Sequence, residues 1–377
     1  MKFSRMLAIA RKETIHVIRD WRSLLMALGA PVFLIVLFGN ALTLDVQNVP
    51  MVVWDQSVTP ESKDLVSRFS FSHYFLNLGQ VSNYTELERQ IDSGQAIFAL
   101  VIPPDFARLQ NRMETVPVQI ILDGSDSNTA TIALGYAEAV LAGYSRDRFE
   151  SAIINQGKKI PQNPIELRTR IWFNSNAESK NSVIPGLIAV IMMVNSALLT
   201  SMTISREWER GTMEHLIATP VKVFELYVGK MLPYFFIGMI DVILIVLIGE
   251  FVFHVPLRGD LFFLFVMATI FLIGSLSLGM LISIVGKTQL VSSQLAMVVT
   301  FLPSILLSGF LSALSNMPQV IQTISYVVPA RYFVTLLRDI YLKGAGWNTT
   351  WNEIMFLVCF ALLMVLFSNL KFKKRLA

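Results

Sequence analysis

The sequence predicts a polytopic helical membrane protein with an α/β domain inserted between its first two membrane helices. Charged residues make up only 15% of the 377-residue chain, whereas soluble domains contain about a quarter. The predicted membrane helices are six apolar segments that approach the roughly 20 residues needed to cross a bilayer: 24–44, 183–203, 227–252, 261–285, 288–312 and 353–370. The stretch 45–180 has the composition of a soluble domain.

The inserted stretch alternates between strand-like and helix-like pieces. β-branched and aromatic residues are concentrated in four pieces that we predict to be strands: Val49–Trp54, Ala96–Ile102, Val116–Leu122 and Leu167–Phe173. The patterns of Thr85–Ser93 and Thr129–Gln156 predict helices. These pieces together predict an α/β domain.

Basic residues at both ends of the chain predict its orientation. Residues 1–23 and the segment after 370 carry clusters of Lys and Arg next to apolar runs. Such clusters favour the cytoplasmic side of a membrane, so we expect both termini inside and the 45–180 domain outside. Charge placed in this way is typical of membrane flanks, and it argues against a nucleic-acid partner. The first apolar run is longer than the core of a cleaved signal peptide, so we expect it to be retained.

The first 23 residues also show helical periodicity. Phe3, Leu7, Ala10, Val17 and Trp21 recur at near-helical spacing, and basic residues occupy the other faces. This pattern predicts an amphipathic helix in the inner membrane interface. A simple basic flank that only directs insertion is the alternative.

The loop 204–226 carries the most informative charge pattern in the chain. Charges of both signs are crowded into a short helical stretch that we expect to end at Pro220, and Arg210 and Glu214 have the spacing of a helical ion pair. A short charged helix held between two spans is suited to receive a push from a soluble partner. A solvated loop with helix-stabilising pairs is the alternative.

This loop resembles the corresponding region of ABC-2 type transporter permeases, in the subset with a large external domain. The resemblance rests on the pattern Arg-Glu-x-Glu-Arg-Gly-Thr-x-Glu from residue 206, followed by Pro220 and Gly229-Lys230. It extends to Arg11-Lys12-Glu13 near the start and to Leu307-Ser308-Gly309 and Met317-Pro318 in the last third.

The resemblance implies a function and a set of partners. Two permease subunits, identical or different, would pair in a bacterial inner membrane, and each would bind a cytoplasmic ATPase through loop 204–226 and the N-terminal helix. The implied coupling residues are Arg206, Glu207, Glu209, Arg210 and Glu214. Membrane lipid and an external adaptor protein are further expected partners. The resemblance also implies that residues 313–345 form short helices that dip into the outer leaflet.

Asn195 and Asp241 each lie midway along a predicted span. A charge at the position of Asp241 costs at least about 2.5–3.5 kcal/mol on insertion, so Asp241 is expected to face the protein interior. It would line the substrate path, pair with Asn195 or be neutral, and the sequence leaves these three roles open. The small residues Ser275, Gly279 and Ser283 recur every four positions, which predicts close helix packing.

No residue pattern predicts catalysis or a cofactor on this chain. Gly286-Lys287-Thr288 resembles the end of a phosphate-binding loop, but Leu281 stands where that motif needs its first glycine. The four histidines are scattered, and Cys359 is the only cysteine, so we expect neither a metal site nor a disulfide. We therefore expect a transport subunit that is not an enzyme, with ATP bound by another chain.

The function expected from the sequence is the export of a small amphiphilic or drug-like molecule with energy from a separate ATPase. Two other functions remain open at this point. One is a mechanotransmission subunit that moves an external partner, although six spans argue against it. The other is a secondary transporter or ion channel that uses Asp241, although such proteins tend to show internal repeats that this sequence lacks.

Overall fold

The computed structural model of the chain describes residues 3–41, 46–112, 114–155, 172–174, 178–214, 219–312 and 314–372. Contacts between residues divide the chain into two compact units, one formed by Met1–Leu44 with Arg170–Ala377 and the other by Asp45–Thr169. We call the first the helical unit and the second the α/β unit.

The described elements follow one another along the chain in a simple order. They are α1 (Phe3–Arg19), α2 (Trp21–Ala41), β1 (Val49–Asp55), α3 (Pro60–Phe71), β2 (Phe75–Gln80), α4 (Tyr84–Asp92), β3 (Phe98–Ile102), α5 (Phe106–Asn111), β4 (Gln119–Leu122), α6 (Ser127–Asn155), α7 (Lys180–Ser201), α8 (Thr203–Glu209), α9 (Val223–Phe251), α10 (Leu261–Gly286), α11 (Gln289–Leu306), α12 (Gln319–Ser325), α13 (Pro329–Arg338) and α14 (Trp351–Lys371).

Six helical segments of the described chain are long and apolar enough to cross a membrane. They are Leu24–Ala41, Lys180–Glu209, Val223–Phe251, Leu261–Gly286, Gln289–Leu306 and Trp351–Lys371. The prediction of a polytopic helical membrane protein with six candidate spans is confirmed. The second segment joins α7 and α8, so this helical stretch continues beyond the predicted end at residue 203.

The fifth predicted span, 288–312, is too long at its C-terminal end. Helix α11 ends at Leu306, and Gly309 has a φ of 78°. This left-handed conformation is accessible to glycine but not to a continuing α-helix. The apolar run therefore extends beyond the helix.

Helix α7 forms the centre of the helical unit. It packs against α2, α9, α10, α11 and α13. In the helical stretch Lys180–Glu209, which includes α7, 78% of the most apolar 18-residue segment is buried. The small-residue prediction is confirmed where α7 meets α10, because a Cβ atom at Gly279 would lie 2.3 Å from the carbonyl oxygen of Ala197. Ser283 of α10 accepts hydrogen bonds from the backbone N–H groups of Ile204 and Ser205 at 2.9 and 3.0 Å.

The region between α11 and α14 contains a sharply bent pair of helices. Helix α12 and the helix that begins with α13 and runs to Lys343 meet at 88°, and together they are apolar enough to count as a broken span or a re-entrant loop. Arg338 of α13 donates hydrogen bonds to the carbonyl oxygens of Ser182, Gly309 and Phe310 at 3.0–3.1 Å. These bonds connect the bent pair to the start of α7 and to the turn after α11.

The α/β unit is built on a four-stranded sheet with the order β2-β1-β3-β4. Strands β2, β1 and β3 are parallel, and β4 runs antiparallel to β3. Phe69 of α3 and the strand residues Phe75 and Phe98 form the centre of one core, with the rings of Phe75 and Phe98 4.7 Å apart. A fully buried Phe side chain stabilises a fold by about 1.5–3 kcal/mol.

Two of the four predicted strands are confirmed, the third is shorter than predicted, and the fourth falls largely outside the described residues. The pieces that begin at Val49 and Ala96 contain β1 and β3, and the predicted helices correspond to α4 and α6. The third predicted strand begins later, at Gln119, because Pro117 has no N–H group for the ladder. The fourth, Leu167–Phe173, lies outside the described residues up to Ile171, and Trp172 and Phe173 are not in a strand.

Strand β2 was not predicted, for a physical reason. It contains Asn77 and Gly79, which are residue types depleted in strands. It is an edge strand that pairs with β1 alone, and the register shifts between Met51 and Val52 opposite Gly79, which has a φ of 135°. Tertiary pairing therefore forms this strand in spite of its local preference.

Candidate functional site

Helix α1 packs against α9 where the two backbones come close together. A Cβ atom at Gly229 would lie 2.9 Å from side-chain atoms of Ile9 and 3.0 Å from the carbonyl oxygen of Met6. A larger residue at this position would therefore push the helices apart. Ala10 and Glu13 are the buried residues of α1, so an acidic side chain is buried in this helix.

A group of charged side chains joins α1, α8 and α9. We call Lys12, Glu13, Glu207, Lys230 and Tyr234 the Lys230 cluster. Lys230 is 1% exposed, and its Nζ atom lies 3.2 Å from Oε2 of Glu13 and 3.0 Å from Oε1 of Glu207. Tyr234 donates a hydrogen bond to Oε1 of Glu13 at 3.1 Å, and Nζ of Lys12 lies 3.4 Å from Glu207.

The charges of this cluster are balanced. Two carboxylates face two ammonium groups, and Glu207 also accepts a hydrogen bond from the hydroxyl of Thr212. Burying an unpaired ammonium costs several kcal/mol, and good ion-pair geometry offsets this cost. The buried ammonium charge of Lys230 is thus balanced by the carboxylates of Glu13 and Glu207. Loss of either carboxylate would leave this charge only partly compensated.

Arg206 and Glu209 connect α8 to α1 and to the start of α11. Arg206 donates from Nε to Oε1 of Gln289 at 3.1 Å, and its NH1 atom lies 2.8 Å from Nε2 of His16. The carboxylate of Glu209 accepts from the backbone N–H of Gln289 at 2.8 Å and from the side-chain amide of the same residue. Glu209 thus lies at the N-terminal end of α11, where helix dipoles favour a negative charge.

Arg210 and Glu214 are exposed. Within the described residues Arg210 makes no hydrogen bond or ion pair. The predicted ion pair between Arg210 and Glu214 is wrong, because α8 ends at Glu209 and Gly211 has a φ of 70°. A new helical stretch begins at Thr212, so the two charges do not share one helix face. The predicted single helix ending at Pro220 is therefore interrupted.

The five predicted coupling residues therefore fall into two groups. Arg206, Glu207 and Glu209 bond to other helices of the same chain, whereas the side chains of Arg210 and Glu214 are exposed. Sequence reasoning missed the contributions of Glu13 and Lys230 to this site. Two signals were present in the sequence, namely a lysine within an apolar span and a single acid, Glu13, next to the basic residues Arg11 and Lys12.

Asn195 and Asp241 form a hydrogen-bonded pair between α7 and α9. Nδ2 of Asn195 lies 2.7 Å from Oδ2 of Asp241 and 3.1 Å from the carbonyl oxygen of Ala27 on α2. Ala27 lies four residues before Pro31, and a proline has no N–H group to bond the carbonyl at that position. The amide of Asn195 thus replaces the hydrogen bond that Pro31 removes from α2.

The surroundings of Asp241 are tightly packed. The side chain is 4% exposed, and its Oδ1 atom has no hydrogen-bond partner. The space next to it, lined also by Pro31 and Gly238, has no room for a water molecule. This geometry fits a structural pair with Asn195 better than a residue that lines a substrate path.

Gly286-Lys287-Thr288 forms the turn between α10 and α11. The hydroxyl of Thr288 accepts a hydrogen bond from the backbone N–H of Val291 and caps α11, and Lys287 has a φ of 58°. A Cβ atom at Gly286 would lie 2.3 Å from Oγ of Ser292, so the backbone is packed against its neighbour. Within the described ranges, no three His, Cys, Asp or Glu side chains come together as a metal site.

The chain matches a protein family over most of its length. Residues 21–370 match the family described as "ABC-2 family transporter protein". This match includes α2 to α14, and therefore the six candidate spans, the α/β unit and α8.

Individual relatives agree with this match. The chain is 36% identical to "Probable multidrug ABC transporter permease YbhS" of Escherichia coli K12 over 377 residues, which are 100% of this chain and 98% of the relative. It is 30% identical to "Probable multidrug ABC transporter permease YbhR" of the same organism over 93% of this chain and 94% of the relative. It is also 26% identical to "ABC transporter G family member 20" of Dictyostelium discoideum, over 95% of this chain and 49% of the relative.

Proposed function

Because this chain belongs to the ABC-2 family of transporter proteins, we propose that it is the permease subunit of an ATP-driven exporter of small amphiphilic or drug-like molecules. The relatives YbhS and YbhR carry the words "multidrug ABC transporter permease" in their names, and these names support the substrate class. ATP would be bound and hydrolysed by a separate cytoplasmic subunit. The chain itself would supply the membrane pathway.

The observation that carries the proposal is the Lys230 cluster together with its neighbours Arg206 and Glu209. Through these residues α8 is bonded to α1, α9 and α11. A displacement of α8 would therefore move three other helices, two of which are candidate spans. This is the mechanical requirement for coupling an event outside the membrane to a rearrangement of the spans.

In the proposed mechanism the ATPase would contact the exposed side of the loop after α8. Arg210 and Glu214 present charges of opposite sign there. Closure of the ATPase on ATP would push α8, Glu207 would transmit the movement to Lys230 on α9, and Glu209 would transmit it to α11. Substrate would enter between two permease subunits and leave on the outer side.

The proposal includes a topology and an assembly. Both termini and loop 204–226 would lie in the cytoplasm of a bacterial cell, and the chain would span the inner membrane. The α/β unit and the bent pair α12–α13 would lie on the outer side, and an adaptor protein would bind there. A second permease subunit would complete the pathway, and lipid would surround the exposed apolar helix faces.

Purification of the tagged chain from its native membrane in mild detergent tests the proposal. We expect a nucleotide-binding protein to accompany the chain in a fixed ratio and the eluate to hydrolyse ATP. A chain that is free of ATPase yet dissipates an ion gradient in liposomes would contradict the exporter proposal. It would favour a channel or secondary transporter.

Two variants separate the coupling assignment from the transport function. The double variant Arg210→Glu with Glu214→Lys keeps the net charge, and both side chains are exposed, so the fold should persist while ATPase association falls. Lys371→Glu, at the end of α14, is the control and should bind the ATPase normally. Normal association of the double variant would show that these residues do not dock the ATPase, although the chain would still be a permease.

A further inference from the structure

The α/β unit contains a cleft whose volume, about 720 Å³, lies within the 300–1,000 Å³ typical of ligand sites. One wall is a face of α6, and the other is formed by α5 and the extended segment 114–118. The side chains that line the cleft include Leu65, Phe106, Gln110, Leu141, Tyr144 and Arg148. All of the lining residues belong to the α/β unit.

The floor of the cleft is apolar and carries one fixed hydroxyl. Leu65, Phe106 and Tyr144 are 0%, 2% and 5% exposed. The phenol oxygen of Tyr144 accepts a hydrogen bond from Nε2 of Gln110 at 2.8 Å and lies 3.2 Å from the carbonyl oxygen of Glu61. Burial raises the pKa of the Tyr144 phenol, so this group is a neutral hydroxyl at physiological pH.

The α6 wall presents one cation, Arg148, to the cleft. Arg148 follows Tyr144 by one helical turn, so both lie on the face that lines the cleft. Within the described chain, Arg148 makes no hydrogen bond or ion pair. The neighbouring Arg146, by contrast, donates to Glu150 at 3.0 Å.

The opposite wall contributes a single acid. Glu114 lines the cleft and is exposed to solvent, whereas Arg148 is half-buried. A charge that is partly withdrawn from water interacts more strongly with a ligand than one that is fully solvated. The electrostatic preference of the cleft is therefore set by Arg148.

We propose that this cleft binds an anionic amphiphile, with its apolar rings or chain on the floor formed by Leu65, Phe106 and Tyr144 and its acidic group beside Arg148. This site is separate from the helices that would carry transport and needs no nucleotide. Its role goes beyond that of a permease, because the α/β unit would bind a molecule itself.

Protection of a single cysteine tests the proposal in the full-length chain. Cys359→Ser removes the native thiol, and Ser145→Cys places a new one at an exposed position that lines the cleft. The chain is reconstituted in phosphatidylcholine nanodiscs and labelled with a water-soluble maleimide. The probe is 1-anilinonaphthalene-8-sulfonate, and its uncharged analogue is N-phenyl-1-naphthylamine.

We expect the sulfonate probe to slow labelling at Ser145→Cys several-fold, because pockets bury most of a bound ligand's surface. Labelling of Ser93→Cys, an exposed position outside the cleft, should not change. Arg148→Gln should raise the half-protecting concentration about tenfold, as expected for the loss of a charge-assisted bond. The matched control Arg146→Gln and the variant Glu114→Gln should not weaken protection.

Three results would overturn the proposal. Equal protection at Ser145→Cys and Ser93→Cys would show binding without a defined site. Equal effects of Arg148→Gln and Arg146→Gln would remove the role of the free guanidinium. Stronger protection by the uncharged analogue would show an apolar site without selectivity for anions. None of these results depends on whether the chain is an exporter.

Discussion

The ammonium group of Lys230 lies 3.2 Å from the carboxylate of Glu13, although the two residues are 217 positions apart in the chain. Both side chains are almost fully buried, and Glu207 lies on the other side of the same ammonium group at 3.0 Å. The pair therefore fixes α1 to α9 at the point where α8 also makes contact. Its removal should affect both stability and coupling.

Lys230→Met should destabilise the chain strongly. Removal of one partner from a buried ion pair leaves an uncompensated charge, which costs about 3–5 kcal/mol. The measurement is the Tm of the purified chain in detergent, determined from the change in its intrinsic fluorescence on heating. The double variant Glu13→Met with Lys230→Met should recover much of the loss, because Glu207 keeps its contact with Lys12. A double variant less stable than Lys230→Met would contradict the pairing of Glu13 with Lys230.

The double variant also separates stability from coupling. It replaces the buried ion pair between α1 and α9 by two apolar side chains, and it removes the ionic contact of Glu207 with α9. We therefore expect a folded chain that binds its ATPase but exports poorly. Full export by this variant would show that the Lys230 cluster has a structural role alone.

Gly229→Ala should weaken the packing of α1 on α9. The new methyl group would lie 2.9 Å from Ile9 and 3.0 Å from a backbone oxygen of Met6, and overpacking of this kind costs about 1–3 kcal/mol. Gly29→Ala in α2 is the control, because in the described part of the chain nothing beyond its own stretch of helix lies within 4 Å of the position of its Cβ. We expect the Tm to fall for the first variant only. Equal Tm values for Gly229→Ala and Gly29→Ala would mean that α1 can move away from α9 without loss of stability.

The sequence predicted the candidate spans because the length of an apolar run is a local property. Four of the six predicted spans have both ends within four residues of the candidate helices. The other two differ at their C-terminal ends. The second continues through α8 to Glu209, and the fifth ends at Leu306 although Leu307, Phe310 and Leu311 continue the pattern of apolar residues. Strand β2 was missed because pairing with β1 outweighs the strand-breaking preference of Gly79.

The candidate site was less predictable, for a different reason. Charge and spacing singled out residues 206–214 as a group, but they gave no indication of which side chains point inward. Arg206 contacts His16 from 190 positions away, and no local pattern identifies such a partner. The predicted pair of Arg210 and Glu214 is wrong because Gly211 interrupts the helix. A glycine inside a helical pattern is a sequence signal for such a break.

Asn195→Ala should destabilise the helical unit by about 1–2 kcal/mol, the upper range for hydrogen bonds between membrane helices. Within the described residues, the change leaves the carbonyl oxygen of Ala27 without this side-chain donor and removes the one hydrogen-bond partner of the Asp241 side chain. Asp241→Asn should alter the Tm much less, because an amide oxygen accepts the same bond from Asn195. Loss of transport by Asp241→Asn at an unchanged Tm would instead show that the carboxyl acts in transport.

Arg338→Gln should loosen the bent pair α12–α13. Its guanidinium donates to carbonyl oxygens of Ser182, Gly309 and Phe310, and their loss should cost roughly 2–4 kcal/mol, because each bond to a charged donor is worth about 1.5–3 kcal/mol and the three are not additive. Arg258→Gln is the control, because the side chain of Arg258 is exposed and, among the described residues, makes one long hydrogen bond of 3.4 Å. Arg338→Lys should fall between the two, since a single ammonium group cannot reproduce the planar geometry of the guanidinium. Equal Tm values for Arg338→Gln and Arg258→Gln would show that the bent pair is held by apolar packing alone.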